Sequence, residues 1–234
     1  MATLSIRTLL AAVLFLPLLA DAQPTPGAPA AGGAFAVAYV ETRADSSAPA
    51  RAALARYRDA AKQQTGCLAV EVFEQVGRPG RFAVLEFWRD QAALDARDSA
   101  TKSQLLEALR PIRISDYDER PYRTLTVDSG DASRATRSSV FVIAHVDVAP
   151  NTQAPALLAR LAERSRDEQG NLRFDVLQHA QRGNHFTVVE HWRSEASLDE
   201  HVAAAHTREY RDALQPLTGS PLHERVYTAV AGSR

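Results

Sequence analysis

Cysteine is almost absent from this chain: Cys67 is the only one in 234 residues. No intramolecular disulfide can form, so stability must come from buried surface. Cys67 follows a glycine, enters an apolar segment and shares its half of the chain with no histidine, so it reads as a small core residue rather than an activated nucleophile. Lysine is nearly as scarce, with only Lys62 and Lys102, a bias toward arginine that carries no functional message. Acids and bases nearly cancel, 28 against 27. This leaves no basic field for nucleic acid and no charged tail. A Gly-rich dinucleotide fingerprint is missing, so no flavin or nicotinamide site can be read. Apolar runs are short. The one from Leu9 to Leu19 is too short to span a bilayer. With Arg7 before it and Ala20-Asp21-Ala22 after it, residues 1–22 read as a signal peptide. The expectation is a periplasmic or secreted protein with no membrane contact after cleavage. Residues 23–34, rich in Pro, Gly and Ala, read as a flexible leader.

What is present is said twice. LEFWRDQAALDAR (85–97) and VEHWRSEASLDEH (189–201) match at six of thirteen positions, and they hold both tryptophans, Trp88 and Trp192. The match extends outward. FAVAYVE and FVIAHVD alternate as strands do. After turns near Pro49 and Pro150, RAALARYRDAAKQQ and PALLARLAERSRDEQ place Leu54, Tyr57 and Ala61, or Leu158, Leu161 and Ala162, on one helical face. Gly66 and Gly170 are the expected helix stops. A hairpin ending at each tryptophan, a second helical segment and a last strand (ERPYRTL, ERVYTAV) complete each copy. The order is βαββαβ twice, over residues 35–127 and 139–230, joined by the polar linker 128–138. The fold class is therefore α+β, two tandem ferredoxin-like units packed sheet to sheet.

Each copy resembles the antibiotic biosynthesis monooxygenase domain of the dimeric α/β-barrel superfamily. The resemblance rests on a strand ending in E-x-W, the A-x-L after it, and histidines nine and fourteen residues past the tryptophan. In the second copy these are Glu190, Trp192, Ala196, Leu198, His201 and His206, followed by the aromatic Tyr210. It implies that the two halves close one barrel, a pseudo-dimer within one chain where most family members use two.

All seven histidines lie in the second copy. Arg97 and Lys102 stand where the second copy has His201 and His206, and neither suits proton transfer near neutral pH as imidazole does. The second copy is thus the expected seat of any chemistry. Gaps of 34, 6, 6, 10, 5 and 17 between successive histidines include neither common metal spacing, so no metal is expected. The residue where haem-degrading relatives carry an axial histidine is Arg211 here, so no haem or other cofactor is expected. The resemblance implies a cofactor-independent monooxygenase acting on a small phenol or quinol, with His201 or His206 as the base. Trp192, Glu190 and Tyr210 are the candidate substrate-binding residues, and Arg193 or Arg208 the candidate partner of the Glu190 carboxylate. Packing accounts for Trp192 and Tyr210 more readily than a pocket role does, and satisfying loose backbone N–H groups at a helix break accounts for His201 and His206 as readily. A non-catalytic periplasmic binding or stress protein holding a small aromatic or other apolar ligand remains the alternative.

Overall fold

The computed structural model describes residues 32–128, 136, 138–150 and 153–230. The expected signal peptide, most of the leader and most of the linker lie outside them. The first half runs β1 (Ala34–Glu41), α1 (Ser47–Ala61), β2 (Cys67–Gln75), β3 (Arg81–Trp88), α2 (Gln91–Asp95), α3 (Ser99–Leu109) and β4 (Asp118–Thr126). The second repeats it as β5 (Val140–Asp147), α4 (Ala154–Arg166), β6 (Asn171–His179), β7 (His185–Trp192), α5 (Glu195–Ala203), α6 (Ala205–Leu214) and β8 (His223–Ala229). No described helix is long and apolar enough to cross a membrane.

The strands form one closed barrel in the order β1-β3-β2-β8-β5-β7-β6-β4. Each half contributes a four-stranded sheet with its last strand at one edge. That strand pairs across to the other half: β8 with β2 (Phe73↔Ala229) and β4 with β6 (Tyr122↔His179). Both open edges are thereby removed, which a single half could not achieve.

The two-residue period of each strand separates the layers. On β7, His185, Thr187, Val189 and His191 alternate with Phe186, Val188, Glu190 and Trp192, and the whole strand is buried. The first set faces a lumen filled by Phe35, Phe73, Leu85, Tyr122, Phe141, Ile143, Leu177 and Tyr227, drawn from both halves. The second set faces α4–α6 and forms a separate sheet-to-helix core with Leu158, Phe174 and Leu214. Trp88 and Trp192 are both fully buried, as their size demands.

Local details depart from expectation. Pro49 lies inside the first turn of α1, not in a preceding turn. The helices α1 and α4 end at Ala61 and Arg166, short of the glycines. Gly66 instead turns the chain into β2 at φ +84°, where a Cβ would lie 2.6 Å from the Cβ of Ala93. Close approach and a left-handed backbone both require glycine there. The second helix of each copy is broken in two. Asp98 caps α3 by accepting from the amides of Ala100 and Thr101. Ala204 is extended between α5 and α6, so no side chain caps α6. The capping role expected of His206 is therefore not filled.

Candidate functional site

A cavity of about 160 Å³ lies between the second sheet and its helices. Val142, Ala144, Val188 and Val226 form its sheet wall, and Leu161, Leu198 and Leu222 close it with the helices and the loop before β8. Its polar groups are Glu190, Asp199, His201, Thr207, Tyr210, Arg211 and Glu224. Of the residues singled out from sequence, Glu190, His201 and Tyr210 line the cavity. Trp192 and His206 do not line it; they stand behind the residues that do.

Trp192 fixes two of those residues. Its indole nitrogen donates to Glu190 Oε2 at 2.7 Å. Its ring stacks on His201, with centroids 4.7 Å apart and planes at 29°. Arg193 and Arg208, the expected partners of Glu190, make no bond to it; Arg208 donates to the carbonyl of Ala203. With only the indole N–H as partner in a buried site, the Glu190 carboxyl is pushed up to about 8, burial being the main cause and Glu224 a further one.

His201 is oriented by a residue that sequence reasoning missed. Glu168, just past α4, accepts from His201 Nδ1 at 2.6 Å and from His206 Nε2 at 3.0 Å through the same oxygen. No described residue bonds His201 Nε2. A carboxylate holding the Nδ1 hydrogen leaves the lone pair on Nε2. Burial, with the nearby Arg211 charge, holds the His201 imidazole below its ordinary value, so it is neutral at pH 7. Tyr210 supplies a hydroxyl that is buried without a hydrogen-bond partner. At the rim Arg211 pairs with Glu224 at 3.3 Å.

The first half shows what the same scaffold does without such a site. Its carboxylate, Glu86, accepts from Tyr57 Oη at 2.5 Å, Trp88 Nε1 at 3.0 Å and Arg97 at 3.1 Å. Arg97 and Lys102 both pair with Glu119, at 2.5 and 2.6 Å. Where Tyr57 reaches the carboxylate, the second half has Leu161, and where cations neutralise the acids it has His201 and His206. A signal for Glu168 was available in the repeat itself: Gln64 stands at the equivalent position, so glutamine becomes glutamate where arginine and lysine become histidine.

The remaining histidines divide. His145, His179 and His185 gather at one end of the lumen, where His185 bonds Asp147 (2.5 Å) and Tyr122 (3.0 Å) beside a polar opening of about 410 Å³. His191 stacks on Phe141 deeper inside, and His223 is exposed. Only Glu168, His201 and His206, among the described residues, bring three potential metal donors close together.

A dimeric α/β barrel closed within one chain, with a cavity on the helix side of one sheet, is the class that fold and site define. The chain belongs to the antibiotic biosynthesis monooxygenase family, whose model matches residues 34–104 and 139–213, more than half of its length. No curated protein sequence matches it. Three solved structures share the fold across both halves. A protein from Fusobacterium nucleatum subsp. nucleatum, provisionally named a monooxygenase, has 13% identity and a TM-score of 0.73 over 86% of this chain and 94% of its own. One from Lactobacillus acidophilus with the same provisional name has 12% identity and a TM-score of 0.69 over 86% and 95%. An anthrone oxidase-like protein has 15% identity and a TM-score of 0.67 over 85% and 92%. At such identities the likeness is one of fold.

Proposed function

We propose that the second-half cavity is the active site of an exported, cofactor-independent monooxygenase acting on a small phenol or quinol. The observation that carries this reading is the set of unmatched polar groups around one apolar cavity. His201 has a free ring nitrogen, Tyr210 a free hydroxyl and Glu190 a buried carboxyl with a single partner, whereas in the first half Glu86 bonds Tyr57, Trp88 and Arg97, and Arg97 also bonds Glu119. Buried polar groups without partners are costly unless a ligand supplies them. The volume suits one ring, since a cavity of about 150 Å³ holds benzene. Export rests on the pattern of residues 1–22.

In this reading His201 Nε2 accepts the phenolic proton while Glu168 holds Nδ1 and stabilises the imidazolium that forms. The phenolate passes electrons to molecular oxygen and a carbon–oxygen bond forms at a ring carbon bearing hydrogen. The ring hydroperoxide then loses that hydrogen and its distal hydroxyl as water. The balance is one phenol and one O₂ to one quinone and one water. Glu190, protonated at neutral pH, is placed to donate to the departing oxygen, and the Tyr210 hydroxyl to hold a substrate oxygen.

The test is oxygen uptake by the full mature chain over a panel of single-ring phenols and hydroquinones, with quinone measured by absorbance. Uptake that falls at least ~100-fold in His201→Ala supports the base assignment, because positioned general bases contribute about that much or more. Saturable ligand binding with no uptake in the native protein would replace the enzyme with a binding protein.

A further inference from the structure

We infer that Glu168, His201 and His206 form a binding site for a divalent transition metal of the zinc type, behind the cavity rather than in it. Their donor atoms, one carboxylate oxygen, Nδ1 of His201 and Nε2 of His206, all lie within 4.8 Å of one another. Two imidazole edges point at one carboxylate oxygen, at 2.6 and 3.0 Å. The two hydrogens that now fill the space between them are what a metal replaces. Hydroxyls stand beside both imidazoles: Thr207 Oγ1 is 3.4 Å from His201 Nδ1, and Ser165 Oγ is 3.5 Å from His206 Nε2.

Zinc bonds to nitrogen and oxygen are about 2.0–2.2 Å long, which sets donors on a tetrahedral ion roughly 3.3 Å apart. The donors here are separated by 2.6 and 3.0 Å on the carboxylate side and by no more than 4.8 Å overall, which brackets that spacing. Two imidazoles and one carboxylate match the preferences of zinc, cobalt or nickel; magnesium and calcium favour oxygen donors, and copper(I) favours thiolate. The side chains of His201, His206 and Glu168 are 6%, 11% and 17% exposed, so the donors are largely desolvated yet reachable. The first half argues for a purpose. It has Gln64, Arg97 and Lys102 at the three positions, two of them cationic, so the whole donor set belongs to the second half alone.

Occupancy has a consequence that rests on the proposed role of His201. A metal on Nδ1 displaces the hydrogen there, and a neutral imidazole must then carry its hydrogen on Nε2. The free nitrogen changes from acceptor to donor, and the base is lost. The site would act as a metal-operated brake on the cavity next to it.

The full chain, stripped with chelator, is titrated with Zn²⁺ by calorimetry and with Co²⁺ by visible absorption. The expected result is one site per chain with a Co²⁺ d–d band, and a melting temperature that rises with Zn²⁺ and returns with chelator. Glu168→Gln and His206→Gln should each weaken binding at least ~10-fold while remaining folded by circular dichroism, and His223→Gln, at an exposed histidine, should not. Absence of saturable binding below ~100 µM free Zn²⁺, or binding indifferent to Glu168→Gln and His206→Gln, overturns the site. Zn²⁺ binding as expected but without loss of oxygen uptake removes the brake and keeps the site. If the metal-free chain shows no uptake on any substrate, the enzyme reading fails and the metal site is judged on calorimetry and absorption alone.

Discussion

Glu190 and Glu86 hold the same place in the repeat and meet different partners. Glu86 meets a guanidinium, a phenol and an indole, while Glu190, also buried, meets only an indole. A carboxyl whose folded-state value is about 8, against 4.5 when unperturbed, keeps an extra proton in the native state between those pH values. Stability is fully present below the lower value and is lost as pH rises through the window, by up to about 1.4 kcal/mol per pH unit. Melting temperatures followed from pH 5 to 8 should therefore fall more steeply for the native chain than for Glu190→Gln, which keeps an acceptor for the Trp192 indole. Parallel curves would mean that the carboxyl is ionised in the fold. His201→Arg should imitate the first half, supplying the missing cation and flattening the same curve.

At the level of elements, the cavity exists because α4 presents Leu161 where α1 presents Tyr57. Leu161→Tyr should place a phenol against Glu190 and fill the space. Binding of a single-ring phenol, followed by calorimetry, should weaken at least ~10-fold, with a stability cost no larger than the ~1–3 kcal/mol of ordinary overpacking. Unchanged affinity would put the ligand elsewhere. The tryptophans that end β3 and β7 make a second comparison. Trp88→Ala and Trp192→Ala should each cost on the order of 3–5 kcal/mol in chemical denaturation. Trp192→Phe should melt like Trp88→Phe but lower turnover as well, because it removes the donor to Glu190 and alters the stack on His201. Equal turnover in both Phe variants would confine Trp192 to packing.

For the whole molecule, each half needs the other twice. The lumen is filled from both sheets, and β4 and β8 find their outer partners only across the seam. Polar contacts cross it too: Arg173 pairs with Glu71 at 2.7 Å, and Tyr122 bonds His185. A fragment of residues 138–234 would expose an apolar sheet face and two unpaired edges. By light scattering it should dimerise or aggregate, while the full chain closes its barrel without a partner. A stable, monomeric fragment would contradict the mutual closure.

What the amino-acid sequence determined by itself was everything carried by short-range period and by repetition. Alternation in FAVAYVE and HFTVVEHW specified strands with two faces, and the doubled order of elements specified two ferredoxin-like units and their pairing, because such patterns depend on neighbours along the chain. Burial of both tryptophans followed from their apolar area, and the contrast of His201 and His206 with Arg97 and Lys102 directed attention to the second half, where His201 lines a cavity. Tertiary structure decided which of the candidates meet. His201, Glu190 and Tyr210 reach one cavity, while His206 and Trp192 stand behind it; for the two histidines the direction of the side chain depends on where the helix breaks, between α5 and α6. Glu168 joins His201 from 33 residues away only because folding brings the turn after α4, a helix that packs against α6, beside the end of α5, a contact without local periodicity. The scattering of the other histidines into the lumen and onto the surface has the same cause: closing the barrel assigns alternate residues of one strand to separate compartments.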